Sequence, residues 1–234
     1  MTTTYRVEVA IFAIALAVFG LVALALIWSG DWAYAALANA TGNTTATFVI
    51  PPERREACGQ EMVMDLTRLR ELHRVWAAYV VGASDFPFGP ACSLFTADEY
   101  AHMADVRAVF RGAEYAAALA LFVLVFRVAR ARRRGDALRL VRAGSLIAAG
   151  IVAVIGIAAA VAFDPLFLLF HEVFFPQGNF LFAPDSNLIR LYPEWYWQGI
   201  TAGVGLSFIA VALLVAGAAH WALRRRSNTY TRAA

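Results

Sequence analysis

Two histidines lie among side chains that can support proton transfer, and the first is His102. It stands in the segment DEYAHMADVR, where Asp98, Glu99 and Asp105 are three or four residues away. On a helix these carboxylates share a face with the imidazole. A carboxylate in that position fixes the tautomer of the ring and raises its pKa, which is how a general base is built. Ordinary pairs on a helix surface explain the same spacing, so both interpretations stay open.

The second histidine is His171, in the apolar segment LLFHEVFFP and followed directly by Glu172. Charged or polar groups in such a run are unfavourable unless they are paired or take part in chemistry. A polar anchor at the edge of an apolar layer is the other explanation. His73 falls on an apolar stripe and is interpreted as a core residue. His220, beside Trp221 and an arginine cluster, is interpreted as an interface residue.

Further polar residues follow His171 along the chain. Asn179 comes after Gly178, so it could donate to a developing oxyanion or could simply occupy a turn. Arg190 could bind a carboxylate or a phosphate. It could equally pair with Asp185 and order the loop.

Several catalytic classes are excluded by inspection. The chain has no lysine and no GxxxxGK, GxSxG or CxxC motif. Phosphate-loop, lysine-base and nucleophile-elbow mechanisms are therefore set aside.

The two cysteines, Cys58 and Cys92, fall in the same long segment between apolar stretches. If that segment lies in an oxidising compartment, a disulfide between them is expected. A reactive thiol that forms an acyl-cysteine is the alternative.

The elements that must position these residues are dominated by apolar helices. Hydrophobic residues make up 61% of the chain and the mean hydropathy is +0.61, too apolar for a soluble domain of this length. A membrane-spanning helix needs roughly 20 apolar residues. The sequence predicts four such helices, at approximately 8–29, 112–131, 142–163 and 196–222.

The arginines predict the orientation of these helices. Arginine is the only basic residue apart from histidine, and it is concentrated in residues 127–142 and in the C-terminal tail. Basic short loops and tails stay cytoplasmic. Both chain ends are therefore expected inside, and residues 30–111 and 164–195 outside. The sequence pI near 9.1 then reflects topology and contact with membrane lipids, and it does not indicate a nucleic-acid partner.

The outer segments predict a cap of short elements. Residues 30–52 are expected to be irregular, with an extended stretch at 46–50, and residues 61–81 to be helical. Thr96 and Glu99 form a capping box that opens a helix, which runs unbroken into the second span. We therefore predict an all-α membrane protein with four transmembrane helices. Its extracytoplasmic cap is expected to hold short helices and a short strand pair, and residues 1–234 to form a single integral membrane domain.

The segments FTADEYAHMADVR and FHEVFFPQGNFLFAPDSNLIRLYPEWYW together resemble the lipoprotein intramolecular transacylase (Lit) family and its integral membrane relatives. The resemblance implies transfer of the sn-2 acyl chain of a diacylglyceryl lipoprotein to the α-amine of its own lipid-bearing cysteine. It implies a bacterial inner-membrane location and an outer active site with two histidines, which match His102 and His171. Diacylglyceryl lipoproteins and membrane lipids are the expected partners, and no cofactor or metal is expected.

Supporting roles are predicted for six polar residues near the two histidines. They are Glu99, Asp105, Glu172, Asn179, Asp185 and Arg190.

Two other function classes stay open at this point. One is a metal-dependent membrane hydrolase that uses His102, Asp105, His171 and Glu172 as ligands. The other is a non-enzymatic lipid-binding or scaffold protein.

Overall fold

The computed structural model describes residues 3–85 and 94–233, with side chains as far as residue 226. Nearly all of the regular structure is helical, and one small antiparallel sheet is present. The elements are α1 (Thr3–Trp28), α2 (Asp31–Thr41), β1 (Thr45–Val49), a 3-10 turn (Pro52–Arg54), α3 (Arg55–Cys58), β2 (Glu61–Asp65), α4 (Leu66–Val80), α5 (Ala97–Arg134), α6 (Ala137–Val161), α7 (Phe163–Phe174), α8 (Asn187–Leu191) and α9 (Glu194–Ala233).

The chain forms two compact units. The bundle unit consists of residues 1–25, 113–161 and 202–234. The α+β unit consists of residues 26–112 and 162–201. Helices α1, α5 and α9 contribute residues to both units. That the whole chain acts as one domain stays a prediction.

Within the described residues, four helices are long and apolar enough to cross a membrane: α1, α5, α6 and α9. Each overlaps one of the four predicted spans, and α1 and α6 end one and two residues before their predicted spans do. Large apolar side chains on these helices face outward, including Val161 at 84% and Leu214 at 74% exposure. Such exposure is unfavourable in water and suits lipid contact.

Close helix packing in the bundle unit depends on small residues. A Cβ added at Gly144 would come within 2.3 Å of Phe12 Cδ1, so α1 and α6 approach each other only because this position lacks a side chain.

A buried ion pair also holds the bundle unit. The Glu8 carboxylate is 7% exposed and receives both Nη groups of Arg134, at 2.9 and 2.6 Å. Arg130 and Arg127 lie 3.7 and 3.9 Å from the same carboxylate. A bidentate guanidinium contact is the strong form of this interaction, and it fixes α1 against the end of α5.

The core of the α+β unit is built on the amphipathic helix α4. Leu69, Leu72, His73, Trp76 and Val80 recur at helical spacing and are all buried. The helix ends where expected, because Gly82 directly after its cap has a φ of +77°. Phe48, Ile50 and Leu191 pack against this stripe. Each fully buried large side chain contributes about 1.5–3 kcal/mol relative to exposure.

Two secondary-structure predictions in the α+β unit are wrong. Residues 31–41 were expected to be irregular but form α2, whose alanine-rich inner face is buried and whose C-cap is Gly42 in the left-handed conformation. Residues 61–65 were expected to be helical but form β2, which pairs with β1. Tertiary pairing overrides local pattern here. Asp65 then caps α4, since its carboxylate accepts from the Arg68 N–H at 3.0 Å.

The end of β1 is held by a buried amide. Asn187 Oδ1 accepts from the Val49 N–H at 3.0 Å, and its Nδ2 donates to the Val49 carbonyl at 2.7 Å and to the Leu94 carbonyl. Asn187 is 6% exposed. One side chain therefore satisfies main-chain groups from two segments far apart in sequence.

We expect Asn187→Ala to lower the free energy of unfolding by about 3 kcal/mol, because buried main-chain groups lose their partner. The measurement is thermal unfolding of the detergent-solubilised protein. Asn39→Ala is the matched control, since the Asn39 amide bonds only the Ala35 carbonyl in an exposed setting. Equal effects of the two substitutions would contradict the role given to Asn187.

Candidate functional site

The helix that carries His102 begins at the predicted capping box. The Thr96 N–H donates to Glu99 Oε2 at 2.7 Å, and the Glu99 N–H donates to Thr96 Oγ1 at 3.3 Å. The other oxygen of the Glu99 carboxylate accepts from Ser186 Oγ at 2.6 Å and from the Leu188 N–H at 2.9 Å. Glu99, 2% exposed, therefore connects the first turn of α5 to the start of α8.

This arrangement brings the two predicted histidines together. The ring centres of His102 and His171 are 6.2 Å apart and their planes differ by only 19°. At this separation between ring centres, a single reacting group fits within reach of both imidazoles.

Phenylalanine rings surround both imidazoles. Phe175, 2% exposed, lies 4.8 Å from the His102 ring and 5.5 Å from the His171 ring. Phe167 stacks obliquely on His171 at 4.3 Å, and Phe182 meets the His102 ring edge-on at 5.5 Å. These apolar side chains lower the polarity around the buried His102, which strengthens electrostatic interactions there, while His171 stays partly exposed.

The contacts of His171 fix its neutral tautomer. Its Nδ1 lies 2.8 Å from the carbonyl oxygen of Phe167 on the preceding turn of α7. A carbonyl can only accept, so Nδ1 carries the hydrogen and Nε2 keeps the lone pair. Nε2 is therefore the atom of His171 that can take a proton.

His102 is buried in the polar first part of α5, at 6% exposure. Its Nδ1 has no hydrogen-bond partner among the described residues. Burial lowers the pKa of the His102 imidazole, because the charged ring would lose hydration, while Asn179 and Asp105 raise that pKa and His171 lowers it further. The ring is therefore kept neutral at neutral pH.

A polar network stands beside His102. Asp105 Oδ2 accepts from Asn179 Nδ2 at 2.6 Å and from Gln177 Nε2 at 2.8 Å. Gln177 Nε2 also lies 3.3 Å from Asn179 Oδ1. The sequence predicted Asp105 and Asn179 as supporting residues but missed Gln177. The signal was Gly178, whose φ of +78° makes the turn that presents Gln177 and Asn179 to one carboxylate.

Comparison with known proteins assigns the family. The model of the family described as lipoprotein intramolecular transacylase Lit matches residues 7–197. The chain belongs to the Lit family. It is therefore a membrane enzyme of the acyltransferase class, as the sequence predicted. A search of curated proteins finds no match to this chain.

Solved structures of a Lit protein share the fold. The membrane-integral lipoprotein intramolecular transacylase Lit from Bacillus cereus is similar with a TM-score of 0.69 at 17% identity, over 100% of both chains. A variant of that protein with one histidine changed to arginine has a TM-score of 0.70 at 16% identity, over 97% of this chain and 95% of that one. A histidine-to-alanine variant gives 0.69 at 16% identity, over 96% of both chains. The predicted fold class, a helical multi-pass membrane protein with a short strand pair, is confirmed.

The remaining predicted site residues of this Lit family member are not all gathered at the histidines. Glu172 is exposed on α7 and Asp185 is exposed before α8. Arg190 donates from Nε to the main-chain carbonyl of Asp185 at 3.0 Å and from Nη1 to the Thr47 carbonyl. Of the two roles predicted for Arg190, loop ordering is the one that these contacts favour.

The cysteine and metal predictions have different outcomes. Cys58 packs against the core, but Cys92 lies outside the described residues, so their disulfide stays a prediction.

In the part of the chain that the structure describes, no group of three or more His, Cys, Asp or Glu side chains could hold a metal ion. The four-residue ligand set of the hydrolase hypothesis is therefore not assembled.

His73 is a core residue, as its place on the stripe of α4 predicted. It is 2% exposed, with Nε2 3.0 Å from the Ser29 carbonyl and Nδ1 3.1 Å from the Tyr192 hydroxyl. The carbonyl can only accept, so Nε2 carries the hydrogen and the hydroxyl donates to Nδ1. Burial lowers the pKa of this imidazole, partly opposed by the Ser29 carbonyl and by the charge of Asp31.

Because two imidazoles are buried, the folded protein is expected to lose stability at acidic pH. His73 and His102 both have a lowered pKa when folded, so the unfolded chain binds more protons below about pH 6.5. The free energy of unfolding is therefore expected to be highest above pH 6.5 and to fall as the pH drops toward the folded values. Thermal unfolding between pH 7.5 and 5.5 measures this. The slope is expected to be smaller in His73→Gln, and an unchanged slope in that variant would count against the explanation.

Proposed function

We propose that this chain moves an O-acyl chain of a diacylglyceryl-modified lipoprotein to the α-amine of the cysteine that carries the lipid, leaving a lyso-form lipoprotein. The observation that carries the proposal is the pair of near-parallel imidazoles, 6.2 Å apart between phenylalanine rings, in a member of the Lit family. Because donor and acceptor are on one substrate, the enzyme needs mainly to hold their geometry and exclude water.

His171 is the proposed base. The substrate amine has a reference pKa of about 7.7–8.0, so a neutral fraction is available for attack near neutral pH. When its nitrogen bonds to the ester carbonyl carbon, the amine must lose a proton. Nε2 of His171, with its lone pair free, takes that proton and later returns it to the glycerol oxygen as the ester C–O bond breaks. The products are an amide and an alcohol.

His102 is the proposed partner of the base. Its neutral ring retains one N–H, which donates to the carbonyl oxygen as that oxygen gains negative charge. Burial lowers the pKa of this ring, which makes the ring a weaker base, while the neutral imidazole still has one N–H to donate. The lowered pKa therefore favours His102 as the hydrogen-bond donor to the carbonyl oxygen and disfavours it as the base.

The orientation in the membrane is part of the proposal. Arginines cluster between α5 and α6 and after α9, which favours placing both chain ends in the cytoplasm. The α+β unit with both histidines is then extracytoplasmic, at the bacterial inner membrane, where lipid-modified lipoproteins are presented.

The first test of the function is expression in a bacterial host that lacks N-acylation of lipoproteins, followed by mass spectrometry of lipoprotein N-termini. We expect the wild-type chain to produce N-acyl lyso-form product. His171→Ala and His102→Ala are each expected to lower its rate about 10²- to 10⁴-fold, as loss of acid–base or oxyanion-stabilising groups does.

His220→Ala is the matched control, because that ring contacts Arg142 in the bundle unit. No product from the wild-type chain would reject the transacylase. Product that persists in His171→Ala would reject the mechanism and leave the reaction in place. A phenotype indifferent to both substitutions would favour a non-enzymatic lipid-binding protein.

Gln177 is proposed as a positioning residue for the pair. It holds Asp105 and the Asn179 amide together, and both of these side chains raise the pKa of His102. Without Gln177 the carboxylate loses one of its two amide partners and is less firmly held beside the ring.

The positioning role predicts a change in pH dependence. Asp105→Asn removes the charge that raises the pKa of His102, so any limb of the kcat/KM profile that reports this ring is expected to move to lower pH. Gln177→Ala is expected to move it in the same direction, with kcat lowered about tenfold and little change in KM. Gln198→Ala is the control, since that amide bonds only Glu194 on an exposed helix surface. Lower activity with an unshifted profile would mean that Gln177 is merely structural.

A further inference from the structure

Strand β1 has one edge that β2 does not use. In an antiparallel pair the main-chain groups of alternate residues point to opposite sides. The Ile50 N–H bonds the Gln60 carbonyl, in line with the ladder, whereas Val49 and Thr47 bond Asn187 and Arg190 on the other side. The main-chain N–H and carbonyl groups of the odd-numbered residues of β1 therefore point away from β2.

Two side chains occupy only part of this outer edge. Asn187 takes both main-chain groups of Val49, and Arg190 takes the carbonyl of Thr47. The N–H and carbonyl of Thr45 and the N–H of Thr47 are bonded to no group of the described chain. These are the groups through which a strand edge pairs with an added strand.

The unpaired part of the edge opens into a cleft of about 330 Å³ within the α+β unit. Thr45 and Thr47 line one side, and Tyr34, Pro193 and Trp195 provide an aromatic and apolar wall. Arg190 also lines the cleft, fixed by its bonds to the carbonyls of Thr47 and Asp185. Such a cleft offers hydrogen bonds to a main chain and apolar contact to its side chains.

We propose that this cleft binds the polypeptide of the substrate, as an extended segment that follows the lipid-bearing cysteine and adds to the edge of β1. The inference rests on the proposed function, because a lipoprotein brings a chain that must leave the site. An acyl chain could not satisfy two N–H groups and a carbonyl, whereas an extended peptide satisfies all three with its own alternating groups.

The same short helix connects this edge to the histidines. On α8, Asn187 and Arg190 hold β1, while the Leu188 N–H and the adjacent Ser186 hydroxyl bond the Glu99 carboxylate. Glu99 lies one turn before His102 on α5. A peptide paired with β1 would thus lie on a strand that α8 holds in place, and α8 also bonds the first turn of the His102 helix.

The test uses the full-length protein in nanodiscs and two synthetic diacylglyceryl lipopeptides, one ending directly after the modified cysteine and one continuing for eight residues. We expect KM to be about tenfold lower for the long lipopeptide, from two or three main-chain hydrogen bonds. Long lipopeptides N-methylated at successive single positions are expected to lose this advantage at alternate positions only.

A protein variant gives a second measurement. Thr45→Pro removes an N–H that the β1–β2 ladder does not use, at the first residue of the strand where proline is tolerated. It is expected to raise KM for the long lipopeptide and to leave the short one unchanged, whereas Thr45→Ala keeps the N–H and the low KM.

Each outcome decides the proposal. Equal KM values for long and short lipopeptides, or N-methylation effects without alternation, would overturn peptide pairing while conversion of both leaves the transacylase standing. A Thr45→Pro defect that is equal for both lipopeptides would assign the cleft to structure or to lipid and would also overturn it. Conversion of neither lipopeptide would reject the proposed function, and this inference with it.

Discussion

Burial of two polar side chains, Glu99 and Asn187, is the constraint on which the α+β unit depends. Each is nearly removed from solvent, and each satisfies main-chain groups from separate segments. A buried carboxylate or amide is tolerated only when its hydrogen-bonding capacity is used, so these contacts admit few alternative arrangements of the segments that they join. The position of His102, one turn after Glu99, follows from that restriction.

Around the histidines, apolar packing affects the spacing of the rings, and hydrogen bonding determines which ring nitrogen carries the hydrogen. The phenylalanine rings set the distance between the imidazoles and lower the local polarity. The hydrogen bond to the Phe167 carbonyl sets which nitrogen of His171 is free, and it comes from the same helix as the histidine. His171, the proposed base, is thus oriented from within its own helix, whereas the pKa of His102 depends on Asp105 and on Asn179 from a distant loop.

Much of the fold could be predicted because it follows from local patterns. The four spans follow from apolar length, and the start of α5 follows from Thr96 and Glu99, a signal only four residues long. Helix α2 was missed because its alanines have no strong period, and β2 was missed because a strand of five residues gains its stability from β1, which no local pattern reveals.

The candidate site was only partly predictable for the same reason. His102 and His171 were ambiguous by pattern, and the family resemblance singled them out as a pair. Gly178 marked the turn beside Gln177, but nothing local pointed to the partners of Gln177 or Asn187, because these side chains become important only through contacts with residues 72 to 138 positions away. Polar contacts of such long range depend on the assembled fold. The spacing of hydrophobic residues along the chain does not reveal them.

The long-range contacts of Glu99 also have a consequence for biosynthesis. Its partners Ser186 and Leu188 come 87 and 89 residues later, and those of Asp105 come more than 70 residues later. During synthesis, the α5 region is therefore complete well before the later groups that hydrogen-bond Glu99 and Asp105 exist. The nascent chain must keep Glu99 and Asp105 hydrated until residues 177–188 emerge, so the histidine pair forms among the last features of the protein rather than with the helix that carries its first member.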